Sequence, residues 1–281
     1  MAIELPEHLR EAILKRKCLL FVGSGLSVAA GYPGWSDLVR RLAEETKSQY
    51  GVSAEEVQRF VENKDYLAIA ELARRKLGTS SYIDILHELF NRPLRPTRAH
   101  EVIARTDYRG IITTNYERLI ETAITIARGW VPNAFTPGNI AALADALYNP
   151  ELFIFKLHGD ISSGQSIILT IQDYDHLLFR NIYVRVFMQA VFLNYTLLFV
   201  GYSLNDLDFQ LLLSEMTLIF EGYTPKHYAL IPDAGELTVE HLLKRLNIQI
   251  IPYSPQDGHR EAAQFLERIQ AEAPYNASLT N

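Results

Sequence analysis

The chain has 281 residues, 48% hydrophobic and 21% charged, with a net charge of −6. That balance belongs to a globular chain able to bury a large α/β core, and its mild acidity disfavours broad electrostatic binding to nucleic acid or an anionic membrane. The single cysteine, Cys18, excludes an intrachain disulfide and any cysteine-rich zinc module.

The opening residues, MAIELPEHLREAIL, mix acids into an amphipathic pattern, which predicts a helix over 5–16 and not a signal peptide. CLLFVG (18–23) is the first strand, followed by a helix over 36–48. Three helical patterns then run in succession over 54–63, 65–77 and 80–90, with no strand between them. They read as a small helical insertion lobe, approximately 54–91, within a single domain of residues 1–281. RGIITTN (109–115) is a strand, with a helix over 115–127 and a further strand LFIFKLHG (152–159). SIILTI (166–171) follows after a short Ser/Gly-rich segment and is expected to form a side hairpin. A helix over 174–192 leads into TLLFVG (196–201), then come a helix over 206–220, HYALIP (227–232), a helix over 236–246, IQIIPY (248–253) and a last helix over 258–270. The final NASLTN is expected to fray. The most apolar region, 184–204, holds Arg185, Gln189 and Asn194, so it reads as a buried helix running into a strand and not as a membrane span. A cytoplasmic location is expected.

Most strand runs are continuously apolar, the pattern of strands covered on both faces, and they alternate with helices. The predicted fold is therefore α/β, a Rossmann-like doubly wound parallel sheet. In such a sheet ligands sit beyond the C-terminal ends of the strands, which directs attention to four exits. The first, FVGSGLSVAAGYPGW (21–35), places Gly23, Ser24, Gly25 and Ser27 where backbone amides and hydroxyls can meet a phosphate. It has neither the lysine of a phosphate loop nor the third glycine of a dinucleotide fingerprint, and a tight βα turn accounts for it nearly as well. The second exit, TTNYE, clusters Thr113, Thr114, Asn115 and Glu117, one of which helix capping explains. The third ends on His158, Gly159 and Asp160, where a turn is the simpler account of the three residues alone. The fourth, FVGYSLNDLDFQLLL (199–213), carries Gly201, Ser203, Asn205, Asp206 and Asp208. Together they suit a nucleotide attacked by water or by a ribose hydroxyl, with His158 as the base. The eight histidines are scattered, so no metal is expected.

These motifs occur in the order of a known family. GSGLSVAAGYPGW, TTNYE, KLHG and GYSL resemble the phosphate loop, the asparagine segment, the catalytic-histidine strand end and the ribose turn of the sirtuins. More closely, they are similar to the zinc-less sirtuin-like domains of bacterial antiphage-defence proteins. The resemblance implies a NAD-binding fold in which Gly23, Ser24, Gly25 and Ser27 hold pyrophosphate and ribose. The matching loop also carries Pro33 and Trp35. Thr113, Asn115 and Glu117 belong to the nicotinamide side, and Gly201, Tyr202, Ser203 and Asp206 to the ribose and phosphate side. Asn115 and His158 would be the catalytic pair. The four-cysteine zinc module and the peptide-pairing strand of deacylating sirtuins have no counterpart, Trp35 stands for a phenylalanine, and Glu117 stands for an aspartate.

The resemblance thus implies a NAD⁺ hydrolase that releases nicotinamide and ADP-ribose, with NAD as substrate and no metal. It implies an effector of antiphage defence that depletes NAD⁺ in abortive infection, held in check by assembly. A homo-oligomer and a separate protein partner are expected, a HerA-type ATPase or a short Argonaute being the guesses. Trp130, Tyr148 and Tyr183 suit either an interface or core packing. A NAD-dependent protein deacylase or ADP-ribosyltransferase, and a non-catalytic NAD- or ADP-ribose-binding module, are the alternatives.

Overall fold

The apolar runs become the strands of one sheet. In the computed structural model, which describes residues 3–50, 53–63, 65–149, 151–163, 166–204 and 207–276, these are β1 (Cys18–Val22), β2 (Gly110–Thr113), β3 (Asn133–Phe135), β4 (Phe153–Lys156), β5 (Thr196–Val200), β6 (His227–Pro232) and β7 (Ile248–Tyr253). Their spatial order is β3-β4-β2-β1-β5-β6-β7, and every pairing is parallel. The chain builds one half to one side of β1, then crosses over to build the other half from β5 outward. That reversal is the switch point at which open α/β sheets bind ligands. The expected Asn205 and Asp206, and all but the first residue of NASLTN, lie outside the described residues.

The helices are α1 (Glu7–Leu14), α2 (Ser24–Val28), α3 (Trp35–Tyr50), α4 (Ala54–Glu62), α5 (Tyr66–Phe90), α6 (Arg98–Ala104), α7 (Leu119–Arg128), α8 (Ile140–Tyr148), α9 (Ile171–Asp175), α10 (Ile182–Asn194), α11 (Leu207–Ile219), α12 (Glu236–Leu246) and α13 (Gln256–Glu272). Alternate residues of each strand feed two cores. Leu19, Phe21, Phe155 and Phe199 join Phe187, Phe192, Leu213 and Leu246 on the face covered by α8, α10, α11 and α12. Leu20, Val22, Ile154 and Val200 join Leu9, Ile103, Ile124 and Phe265 on the face covered by α1, α6, α7 and α13. All five β1 side chains are buried, which fixes the register of the central strand; each large one contributes about 1.5–3 kcal/mol.

A third cluster packs Leu38 and Leu42 of α3 against Ala70, Leu86 and Phe90 of α5, and both against Tyr116, Ile161, Ile167 and Leu169. The helical segment therefore shares a core with the chain leaving β2 and β4. Its long helix α5 is broken at Gly78, whose φ of 76° and ψ of 162° leave the helical region.

Three expectations are corrected. SIILTI is not a strand. Its Ile167 and Leu169 point into the third cluster, Ile168 N–H donates to the His158 carbonyl at 3.0 Å without a strand ladder forming, and residue 171 already begins α9. Strand β3, just three residues at the sheet edge, was not expected. The helix predicted over 174–192 is three pieces: α9, a π-helical turn His176–Arg180, and α10 restarted by Asn181, whose side chain accepts from Val184 N–H at 3.2 Å.

Candidate active site

The four exits singled out in the sequence belong to four consecutive strands of the sheet, β4-β2-β1-β5. Their pairing is in register, so Lys156, Thr113, Val22 and Val200 form one row across the sheet. The ladder extends one residue further: Leu157 N–H donates to Thr113 O at 2.8 Å, Thr114 N–H to Val22 O at 3.2 Å, and Gly23 N–H to Val200 O at 3.0 Å. His158, Asn115, Ser24 and Tyr202 each sit two positions beyond the row.

A cavity of about 870 Å³ opens there. Its wall includes Ser24, Gly25, Ser27, Pro33, Trp35, Asn115, Glu117, His158, Gly201, Tyr202 and Ser203, all expected from the sequence. Two expected residues do not line it. Gly23 contributes its carbonyl behind the wall, and the buried Thr113 hydroxyl donates to Val22 O at 3.0 Å while accepting from Asn115 N–H at 3.1 Å. Asn63, Asp65, Tyr66, Leu67 and Phe90 of the helical segment, with Ile171 and Tyr174, also line it without having been expected. Trp35 and Tyr66 of its wall stack on each other, with ring centroids 6.1 Å apart and planes at 17°.

Asn115 is 6% exposed, and its amide is oriented from both sides. Its Nδ2 donates to Ser27 Oγ at 2.8 Å and to Gly23 O at 3.2 Å, while Oδ1 is buried without a protein partner. The Ser27 hydroxyl in turn donates to Glu117 Oε1, whose other oxygen accepts Leu119 N–H at 2.6 Å. Ser27 thus links two side chains of the site, accepting from Asn115 and donating to Glu117. Burial raises the Glu117 carboxyl above its ordinary value, against the opposing pull of Leu119 N–H, Ser27 and Lys156.

The glycines of the first exit also act differently from expectation. Gly25 N–H donates to Gly201 O at 2.9 Å, and Gly23 N–H is in the sheet ladder, so neither amide faces the cavity as a phosphate donor. A Cβ on Gly23 would lie 2.5 Å from Gly201 O, and one on Gly201 would lie 2.6 Å from Leu26 N. These positions are glycine because two strand exits pack backbone to backbone.

His158 is 3% exposed, and burial alone lowers its pKa to about 3, so the ring is neutral at physiological pH. Its Nδ1 lies 3.5 Å from the Tyr174 hydroxyl. Gly159 is required for a reason the sequence did not suggest. It adopts φ of 89°, and a Cβ would lie 2.0 Å from Ser166 O, so it admits the returning 166–169 segment, not a ligand.

The row itself contains a charged group that pattern reading missed. Lys156 is fully buried, and its Nζ donates to Tyr116 O at 3.1 Å and Glu117 O at 2.7 Å and contacts Glu121 Oε1 at 3.1 Å and Asp160 Oδ2 at 2.9 Å. Burial works against ionisation of Asp160, yet Lys156 and the Ser162 hydrogen bonds hold its carboxyl below the ordinary value. The signal was present: a lysine in the otherwise apolar FIFKL must find buried partners. Asp160 accepts from Ser162 N–H at 2.8 Å and also neutralises this lysine.

Among the described residues, no group of three or more His, Cys, Asp or Glu side chains is placed to hold a metal ion. Nor is any helix among them long and apolar enough to cross a membrane.

Comparison with known proteins gives the same picture from another direction. The chain is 26% identical over 275 residues to a Bacillus cereus protein named NAD(+) hydrolase ThsA, covering 92% of this chain and 55% of that one. It is 27% identical over 235 residues to an Enterococcus faecium protein of the same name, covering 81% and 45%. It is 25% identical over 246 residues to Defense-associated sirtuin 2 of Bacillus subtilis, covering 86% and 23%. The chain thus spans about half of the length of the first two and a quarter of the third. The family model described as a SIR2-like domain matches residues 109–251, half of the chain, from β2 into β7 and including Asn115, His158 and the β5 exit. With a parallel α/β sheet, a switch-point cavity and this match in agreement, the chain belongs to the SIR2-like family.

Proposed function

We propose that the cavity binds NAD⁺ and hydrolyses its nicotinamide–ribose bond. The observation that carries this reading is the buried, unpartnered Oδ1 of Asn115, which shares its cavity with a neutral imidazole. An orphaned buried acceptor is costly unless a ligand supplies its donor. A ribose hydroxyl or the attacking water is such a donor. The C1′–N bond breaks with its electron pair leaving on nicotinamide, an oxocarbenium-like ribose forms, and water adds at C1′. His158 accepts the proton that the water or the ribose hydroxyl loses, so the products are nicotinamide, ADP-ribose and a proton. Trp35 and Tyr66 offer an aromatic wall to a flat ring, and the buried Glu117 and Ser27 hold Asn115 in place.

Relatives named as NAD(+) hydrolases and a defence-associated sirtuin support this activity and a role in antiphage defence through NAD⁺ depletion. Because free hydrolysis of NAD⁺ is toxic, control by assembly, as a homo-oligomer and with a separate partner protein in the cytoplasm, is part of the proposal. Tyr148 and Tyr183 are exposed and available for contacts, whereas Trp130 is held by Arg128 and donates to Tyr275 Oη at 3.4 Å.

The test is incubation of the purified protein with NAD⁺, alone and with the products of neighbouring genes, followed by quantification of nicotinamide and ADP-ribose. His158→Ala and Asn115→Ala are expected to abolish release. Persistent turnover in both variants would remove their assigned roles.

A further inference from the structure

A neutral histidine can accept a proton only at the nitrogen that does not already carry one, so its usefulness as a base depends on which tautomer its surroundings select. His158 is held twice by one segment of chain. Its carbonyl accepts Ile168 N–H at 3.0 Å, and its Nδ1 faces the Tyr174 hydroxyl at 3.5 Å, the two rings meeting edge to face with centroids 5.0 Å apart. Tyr174 is buried and lines the cavity beside His158.

The position of Tyr174 is itself fixed. Thr170 caps α9, its hydroxyl accepting Asp173 N–H at 3.2 Å, while Asp173 Oδ2 accepts Thr170 N–H at 3.1 Å and Leu169 N–H at 3.3 Å. Asp173 Oδ1 accepts from Arg74 of α5 at 2.7 Å. An ion pair from the helical segment thus clamps the turn that presents the phenol. Such a chain of contacts is how proteins aim a functional imidazole.

We infer that Tyr174 is a positioning residue whose phenol oxygen accepts the Nδ1 proton of His158, so that Nε2 is the unprotonated nitrogen that takes the proton during reaction. This rests on the proposal that His158 is the base. The opposite arrangement, with the phenol donating to Nδ1, would put the imidazole proton on Nε2 and disable that nitrogen.

The test uses the full chain labelled with ¹⁵N-histidine, with the His158 ring signals assigned by their loss in His158→Gln. The wild-type ring is expected to carry its proton on Nδ1. Tyr174→Phe keeps the ring and its packing and removes only the hydroxyl. It is expected to shift His158 toward the Nε2–H form and to lower kcat for NAD⁺ hydrolysis about tenfold or more, with KM changed less than about twofold. A wild-type Nε2–H tautomer, or a Tyr174→Phe variant with unchanged tautomer and kcat, overturns the inference. The ring measurement does not depend on turnover. If the wild-type protein fails to hydrolyse NAD⁺, the proposed activity falls while the tautomer still decides the role of Tyr174.

Discussion

Replacing Lys156 by methionine tests whether the buried ammonium holds the active-site loops together. The substitution keeps an unbranched side chain of similar length and removes four polar contacts, two to backbone carbonyls and two to carboxylates. Glu121 and Asp160 are 4% and 7% exposed, so both would remain buried without their main cation. Breaking a buried ionic network by removing one partner costs about 3–5 kcal/mol. Arg118 Nε, half exposed at 3.9 and 4.0 Å from the two carboxylates, offsets part of this, which places the expected loss near the lower end, about 3 kcal/mol. Against a typical total of about 5–15 kcal/mol this is a large share. Urea unfolding at pH 7 measures it, and nicotinamide release from NAD⁺ under native conditions measures the consequence for Tyr116, Glu117 and His158. Adding Glu121→Gln and Asp160→Asn to Lys156→Met is expected to recover stability, because the uncompensated charges are then gone. A loss below about 1 kcal/mol with unchanged turnover would refute the reasoning, since a network of this burial cannot be removed so cheaply.

Acid is expected to destabilise the fold well above the range where carboxylates titrate. Burial lowers the pKa of His100 to about 4 and of His158 and His227 to about 3, from an ordinary 6.5. For such groups stability is fully present above pH 6.5 and is lost as pH falls toward the folded values, because only the unfolded chain takes up the protons. Each contributes a loss of about 2 kcal/mol at pH 5 relative to pH 7, which denaturant titrations at the two values measure; equal stability at both would contradict neutral burial. Gly159→Ala is expected to reduce turnover by about a hundredfold through displacement of His158, since the new methyl collides with Ser166 O and the left-handed backbone is strained; a fully active variant would show that the 166–169 strap yields freely. Gly23→Ala is expected to force the β1 and β5 exits apart and to weaken NAD⁺ binding, as read by calorimetry, whereas an unchanged Kd would show that their contact is not part of the site.

Much of this arrangement is legible in the sequence because its signals are local. Each strand of the row is a short apolar run, and each exit breaks it with glycine or a polar residue, so CLLFVG, GIITT, FIFKLHG and LLFVG announce both the sheet and where its chemistry lies. What could not be read depends on contacts distant in sequence. Asn63, Asp65 and Tyr66 enter the cavity wall only because α3 and α5 pack together and fold over the exits. SIILTI has the composition of a strand, yet its Ile167 and Leu169 find their apolar partners in a helical cluster, and burial decides over propensity. Asn133–Phe135 is too short and too mixed in exposure to carry a pattern at all. The amides of Gly23 and Gly25 illustrate a different limit: glycine spacing shows that backbone comes close there, but not whether it meets a ligand or another loop.

The shared offset of His158, Asn115, Ser24 and Tyr202 from one aligned row has a consequence for how this chain tolerates insertions and deletions. One residue added inside any of these four strands would advance one functional group by about 3.3 Å and turn its side chain toward the opposite face, leaving its three neighbours in place. Length is thus locked within 18–22, 110–113, 153–156 and 196–200, while in the segments joining them only the stretches that stay clear of the cavity wall can lengthen at little cost. Indel scanning across the chain would find four of its intolerant windows spaced far apart in sequence and adjacent in the sheet.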